Sequence, residues 1–359
     1  MKKLFQPYNL GAIQLKNHVV MAPMTRSRAI GNLANESVAK YYKQRSGAGL
    51  IITEGTAPSP EGLGYARIPG IYSNEQLEAW KTVTTAVHEA GSKIFVQLMH
   101  TGRIGHHLNL PEGLSLVGLS GIKASGEIFT DQEGMQEYSV PTALDSEGIA
   151  KLIRDFVKAA ENAVKAGFDG VEIHGANGYL IEQSLNPNVN DRTDNYGGSI
   201  ENRSRLTLQI IEQISAVIGA EKLGIRLSPY STLSDMPFYE DSEVHHTYSY
   251  LAAELQRLNI AYIHISDNPG IPEKSHQAIR NNFSNTLIYC NGLTPETAEE
   301  KLQAGSADLV AFGRSFLANP DFMKRIEKNV PLNEVDYTRL YTSSEQGYTD
   351  YPVMAEFPA

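Results

Sequence analysis

The sequence predicts an α/β fold, a (β/α)8 TIM barrel in which a closed parallel sheet is wrapped by helices. Two observations carry that expectation: eight short apolar runs recur along the chain, and the segments between them show three- and four-residue apolar spacing. The runs are HVVMAPM (18 to 24), GLIITEG (49 to 55), KIFVQLMH (93 to 100), DGVEIHG (169 to 175), LGIRLSP (223 to 229), AYIHISD (261 to 267), TLIYCNG (286 to 292) and DLVAFGR (308 to 314). Their β-branched, nearly continuous apolar character suits parallel strands buried on both faces.

Taken in chain order, LFQPYNLGAIQLKN precedes the first run and reads as a β-hairpin cap over the N-terminal mouth. After the second run, Ser73 and Gln76 form a capping-box pattern ahead of Leu77, Trp80, Val83 and Val87, which makes the single tryptophan a core anchor. The stretch 101 to 144, after the third run, is expected to fold as a lid or hairpin insertion over the site. Ile149, Leu152, Ile153, Phe156, Val157, Ala160 and Val164 then mark one amphipathic helix, and Gly167 is its stop. Thr294 followed by Pro295 is a further N-cap with proline at the first helical position. A doubly wound open sheet is the competing arrangement.

Composition narrows the function. No linker or low-complexity tract divides the chain, so one domain over 1 to 359 is expected. No 18-residue apolar run exists, and Gln6, Pro7 and Asn9 interrupt any leader-like core, which reads as a cytoplasmic protein that does not enter the membrane. The lone Cys290 excludes an internal disulfide and a thiolate-ligated cluster. A net charge of −10 without a Lys/Arg cluster makes nucleic acid an unsuitable partner and points to small molecules. His106, His107, His245 and His246 come as adjacent pairs without a carboxylate at ligand spacing, so no metal is expected.

In such a barrel the site occupies the C-terminal ends of the strands. Alternation turns Gln97, His174 and Arg226 inward near the ends of three neighbouring strands, with Asn177 and Tyr179 just above. Each needs a buried partner, and one bound ligand could serve them all. CNGLTPE and FGRSFLANP each take a strand through glycine into a loop before a helix. Gly292, Gly313 and Arg314 there suit an anion, against the alternative of plain strand-to-helix turns. EGLGYARIPG has Arg67 where the third glycine of a dinucleotide fingerprint belongs, so the phosphate belongs to a mononucleotide cofactor or a phosphorylated substrate.

Motifs spread over almost the whole chain resemble the old yellow enzyme family of FMN-dependent ene-reductases: NHVVMAPMTRSRA from 17, GLIITEGT from 49, GYARIPGIY from 64, VQLMHTGR from 96, GFDGVEIHGANGYL from 167, NDRTDNYGGSIENRSR from 190, GIRLSP from 224, AFGRSFLANPDF from 311 and GYTDYP from 347. The resemblance implies tightly bound, non-covalent FMN and NAD(P)H as a transient hydride donor. Pro23, Met24 and Thr25 would flank the N5 and O4 edge of the flavin, and Gly55 would lie beside the ring. Gln97 would meet the pyrimidine edge and Arg226 the N1 and O2 side, while Gly292, Gly313 and Arg314 would hold the phosphate. It further implies that His174 and Asn177 bind the carbonyl oxygen of an activated alkene, that Tyr179 protonates Cα after hydride reaches Cβ, and that Tyr65, Met99 and Tyr341 line the substrate space. Enones, maleimides and nitroalkenes become the expected substrates, phenols and small anions the inhibitory ligands, and a monomer or homodimer the expected assembly.

Departures from the family pattern also stand out. Met99 replaces a tryptophan common after the QL pair, and Ser343 and Ser344 replace glycines, which leaves product stereochemistry and the conformation of that loop open. Two other functions remain at this level: a non-redox, phosphate-binding barrel isomerase or lyase, and an FMN-binding protein without turnover.

Overall fold

The computed structural model describes residues 2–266 and 270–354. Two short strands come first, β1 (Tyr8–Leu10) and β2 (Ile13–Leu15), paired antiparallel with Tyr8 opposite Leu15. Eight parallel strands close into a barrel: β3 (Val19–Met21), β4 (Leu50–Thr56), β5 (Lys93–Leu98), β10 (Gly170–Gly175), β11 (Leu223–Leu227), β12 (Tyr262–Ser266), β13 (Thr286–Cys290) and β14 (Leu309–Phe312), the last pairing back onto β3. Neighbours in the sheet are neighbours in the chain. This is a closed barrel and not an open doubly wound sheet.

Each expected strand is present, and several end early. The first stops at Met21, before Pro23, which has no N–H for the ladder. The fifth stops at Leu227, before Ser228 and Pro229, and the eighth at Phe312, where Gly313 turns into a helix. Asp267, expected to end the sixth, lies outside the described residues.

The helices are α1 (Glu36–Gln44), α2 (Asn74–Glu89), α3 (Ser146–Lys165), the short α4 (Leu180–Leu185), α5 (Ile200–Ile218), α6 (Asp241–Arg257), α7 (Glu273–Asn282), α8 (Pro295–Ala304), α9 (Arg314–Ala318) and α10 (Phe322–Glu327). Both expected caps form: Ser73 and Gln76 make a reciprocal capping box on α2, and the Thr294 side chain accepts from Thr297 N–H with Pro295 at N1 of α8. Trp80 is fully buried, and its indole N–H donates to Gly70 O at 3.0 Å. On α3 the stripe from Ile149 to Ala160 faces the barrel. Val164, expected on that stripe, is 39% exposed, and Ala163 is buried in the last turn instead. Gly167 follows with φ of 90°, as its role at the helix stop requires.

The N-terminal hairpin caps the barrel floor. Leu10 and Leu15 are fully buried against Val20, Leu50, Ile52, Phe95, Tyr262 and Ile288. Two aromatic rings, Phe95 and Tyr262, lie with centroids 5.9 Å apart inside the barrel. They fit because the strands between them carry glycine: a Cβ on Gly170 would lie 2.3 Å from the Phe95 ring, and one on Gly224 2.2 Å from the Tyr262 ring. Each ring therefore fills the space left by the glycine paired with it on the neighbouring strand.

Between β5 and α3 the chain makes an excursion at the upper rim. β6 (Val117–Gly118) and β9 (Thr142–Ala143) pair in parallel, and β7 (Glu127–Thr130) and β8 (Gly134–Glu137) form an antiparallel hairpin. Among the described residues, no helix is long and apolar enough to cross a membrane.

Gly224→Ala should destabilise the protein by about 1–3 kcal/mol, because the new methyl group drives Tyr262 out of its layer. A lowered midpoint of chemical denaturation with an unchanged slope is the expected result; an unaltered midpoint would mean that the layer is not tightly filled.

Candidate active site

Towards the C-terminal ends of the strands the barrel interior changes from apolar to polar. Register places Gln97 beside Glu172, His174 beside Arg226, and Arg226 beside His264. Gln97 donates through Nε2 to Glu172 Oε1 at 2.8 Å, and His264 Nδ1 meets Glu172 Oε2 at 2.9 Å, all three side chains being buried. Burial alone would lower the His264 pKa, but the Glu172 carboxylate outweighs it and raises it. Arg226 donates to Ser266 Oγ at 3.3 Å and lies 3.6 Å from Cys290 Sγ. Burial raises the Cys290 thiol pKa, yet His264 and Arg226 together bring it below its ordinary value.

Above this network lies a cavity of about 860 Å³. It brings together twelve of the residues singled out from the sequence: Pro23, Met24, Thr25, Gly55, Tyr65, Gln97, Met99, His174, Asn177, Tyr179, Arg226 and Tyr341. Met99 forms part of the cavity wall. It is 1% exposed and fills the space beside Gly55, where a Cβ would lie 2.5 Å from its sulfur. The β7–β8 hairpin contributes Ile128, Phe129 and Met135 to the opposite side.

Three groups in the cavity have protein-side geometry that leaves something for a ligand. His174 Nδ1 and Arg226 Nε are buried without a protein partner. Burial, with the charges of Arg226 and His264, holds the His174 pKa well below 6.5, so the ring is a neutral imidazole. Asn177 sits at φ of 59°, and its Oδ1 accepts from Ser266 Oγ at 3.4 Å, which leaves the amide NH₂ to the cavity. The Tyr179 ring lies 5.0 Å from the His174 ring, and its hydroxyl is 3.0 Å from that of Tyr65. Burial pushes the Tyr179 phenol up to about 12, against the hydrogen bond from Tyr65, so it remains a proton-bearing group at neutral pH.

Gly292, Gly313 and Arg314 do not line this cavity; they stand above β13 and β14. Cys290 pairs with Ala311, so Gly292 and Gly313 lie two residues beyond a matched pair on adjacent strands. Gly292 has φ of 65° with open space around it, and Gly313 caps α9, whose first residue is Arg314. The Arg314 guanidinium is exposed and lies 5.8 Å from the Tyr337 ring.

Sequence reasoning passed over two sets of residues. Glu172 and His264 were visible as ionisable residues inside apolar strands, Glu172 two positions before His174 and therefore on the same inward face. Arg26 and Arg28, just beyond Thr25, are fully buried and fix the C-terminal loop. Arg28 donates to the carbonyls of Arg339, Leu340, Ser344 and Gln346, and Arg26 to those of Leu340 and Gly347. The loop with Ser343 and Ser344 is thus shaped by carbonyl capture. The adjacent His106 and His107 have ring centroids 4.2 Å apart at the start of a 3₁₀ turn.

Residues 3–333 match the model of the NADH:flavin oxidoreductase / NADH oxidase family. The chain belongs to this family. It is 41% identical over 363 residues to 12-oxophytodienoate reductase 1 of Oryza sativa subsp. japonica, covering 98% of this chain and 93% of the relative. Its fold is similar to that of morphinone reductase solved with tetrahydroNAD, with a TM-score of 0.94, 41% identity and 99% of both chains covered. It is also similar to the old yellow enzyme homologue from Zymomonas mobilis, with a TM-score of 0.93, 40% identity, 98% of this chain and 100% of the other. The chain is an old yellow enzyme type oxidoreductase, an FMN-dependent reductase of activated alkenes driven by NAD(P)H. The non-redox isomerase or lyase falls away with this membership.

The residues present fit that cofactor. A flavin's pyrimidine edge carries both N–H and C=O groups, and the Gln97 amide with the unpartnered Arg226 Nε offers matching acceptors and donors at the cavity floor. Replacing Arg226 with Gln is expected to weaken FMN retention about ten-fold, as loss of a charge-assisted hydrogen bond does. Fluorescence titration of the apoprotein with FMN measures it; unchanged affinity would remove Arg226 from the cofactor site.

Proposed function

We propose that the chain forms one FMN-binding barrel domain that reduces bulky, cyclic α,β-unsaturated carbonyl compounds, with maleimides and nitroalkenes as smaller substrates. One observation carries the assignment of roles: a neutral, buried imidazole with a free nitrogen, an amide NH₂ and a phenol of very high pKa face one cavity above Arg226.

Thr25, Gln97 and Arg226 would hold the flavin ring and Pro23, Met24 and Gly55 would frame it. Gly292, Gly313 and Arg314 would take its phosphate. When bound, FMN supplies a hydride acceptor for NAD(P)H and a hydride donor for the alkene.

His174 and Asn177 bind the substrate carbonyl oxygen. Negative charge grows on that oxygen as hydride reaches Cβ, and two fixed donors in a site screened from water favour the charged transition state over the ground state. A neutral His174 is suited to this work, since it donates one N–H without bringing a net charge that would trap the ground state. The Tyr179 hydroxyl delivers the proton to Cα, and Tyr65 orients it through the 3.0 Å contact. Tyr341 and Met99 bound the space occupied by the rest of the substrate.

The apolar rim supports bulky substrates. Phe129, Met135 and Tyr341 expose apolar surface at the entrance, above the space the flavin ring would fill. The names of the relatives, a 12-oxophytodienoate reductase and a morphinone reductase, point the same way. Phenols and small anions would bind the same donor pair as inhibitors. We place the enzyme in the cytoplasm, working as a monomer or homodimer.

Tyr179→Phe should leave reduction of the flavin by NADPH near its wild-type rate and slow reduction of 2-cyclohexenone by about 10²-fold or more. Stopped-flow measurement of the two half-reactions separates them, and equal impairment of both would contradict the assignment.

Because burial pushes the phenol up to about 12, alkene reduction should hold its rate as the pH rises from about 8 to about 10.5. A decline centred near the ordinary tyrosine value of about 10 would show that the donor is not shifted by burial.

A further inference from the structure

Beneath the loop that carries Asn177 and Tyr179 lies a buried carboxylate for which the reaction as described has no use. Glu182, on the first turn of α4, is 4% exposed. No cation pairs with it among the described residues; its partners are all neutral donors. Gly178 N–H donates to Oε2 at 2.5 Å, Ser228 Oγ to Oε1 at 2.6 Å and Tyr248 OH to Oε1 at 3.2 Å. The Ser228 hydroxyl in turn accepts from Asn177 N–H at 2.7 Å. A continuous chain therefore runs from the Asn177 backbone through Ser228 to the carboxylate, and a second arm reaches Gly178 directly.

The loop needs such restraint. Asn177 and Gly178 are consecutive residues with φ of 59° and 84°, a conformation the asparagine side chain tolerates but does not favour. Gln183, which follows Glu182, grips the other side of Gly178, donating from Nε2 to Gly178 O at 2.7 Å. Space is closed as well: a Cβ on Gly178 would lie 2.4 Å from Leu233 O. The carboxylate is the one group here that can accept from all three donors at once, since a Gln side chain has a single oxygen.

We infer that Glu182 is a positioning residue that, through Ser228 and Gly178, fixes the left-handed Asn177–Gly178 turn and so sets the aim of the Asn177 amide and the Tyr179 hydroxyl at the substrate. This rests on the roles of Asn177 and Tyr179 given above. Burial pushes the Glu182 pKa up to about 7, against its three hydrogen bonds, so the chain of bonds is fully formed in mildly alkaline solution.

The test uses FMN-loaded protein at pH 8. Binding of 4-hydroxybenzaldehyde is followed by the change in flavin absorption, and KM for 2-cyclohexenone is measured alongside FMN content and thermal midpoint. Glu182→Gln and Ser228→Ala should each raise the phenol Kd and the enone KM about ten-fold while FMN content stays at the wild-type level. The double variant should be no worse than the more affected single one, because both cut the same chain. Unchanged Kd and KM in both variants, or fully additive losses, would overturn the inference. Asn177→Ala and Tyr179→Phe run in the same assays separate the two levels. If those two are without effect, the functional reading itself fails; if they impair and the Ser228 and Glu182 variants do not, only the positioning role fails.

Discussion

The site depends on keeping ionisable groups inside a barrel whose lower half is filled mainly by apolar side chains. Glu172 is central to that constraint. A carboxylate in this position is costly unless it is fully bonded, and here the Gln97 amide and the His264 imidazole supply both of its oxygens with partners. The same bonds give orientation. Gln97 is turned with its amide nitrogen towards Glu172, which decides which of its atoms remain for a ligand, and His264, drawn towards its cationic form by Glu172, stands next to Arg226. The floor of the active site is thus fixed before any ligand arrives, which is the condition for electrostatic catalysis without reorganisation.

That floor is possible because the layer below it is so well filled. Phe95 and Tyr262 occupy the space made by Gly170 and Gly224, and the hairpin residues Leu10 and Leu15 close the end. The cross-section is solid there, so the polar groups above are separated from solvent on that side. Burial then acts on each of them as charge and partner dictate: His174 is held neutral, His264 is pulled towards its cationic form by Glu172, and Tyr179 is made reluctant to ionise.

Much of this was legible in the chain itself, for physical reasons. The eight apolar runs fall on the eight barrel strands because a strand buried on both faces tolerates little else, and the caps at Ser73 and Thr294 are local chemistry that survives in any context. Gln97, His174 and Arg226 could be read because period-two alternation is rigid. The partners of these groups were harder to see. Glu182 lies in a short helix where nothing in its spacing distinguishes a buried carboxylate from a solvated one, and Arg26 and Arg28 look like ordinary surface charges until the C-terminal loop folds over them. Burial of a charge is a property of distant segments, and the sequence around it does not report it. Val164 shows the reverse case, an apolar residue in register with a buried stripe yet left in solvent at the end of its helix.

The β7–β8 hairpin pairs only with itself among the described residues, and it is tied down at a few points, by Asp131 to Arg67 and by Phe129 O to Asn109. Ladder and core of the barrel are complete without it. The ceiling of the pocket is therefore a modular element: a substitution within residues 127 to 137 alters the wall a ligand meets without touching a strand of the barrel.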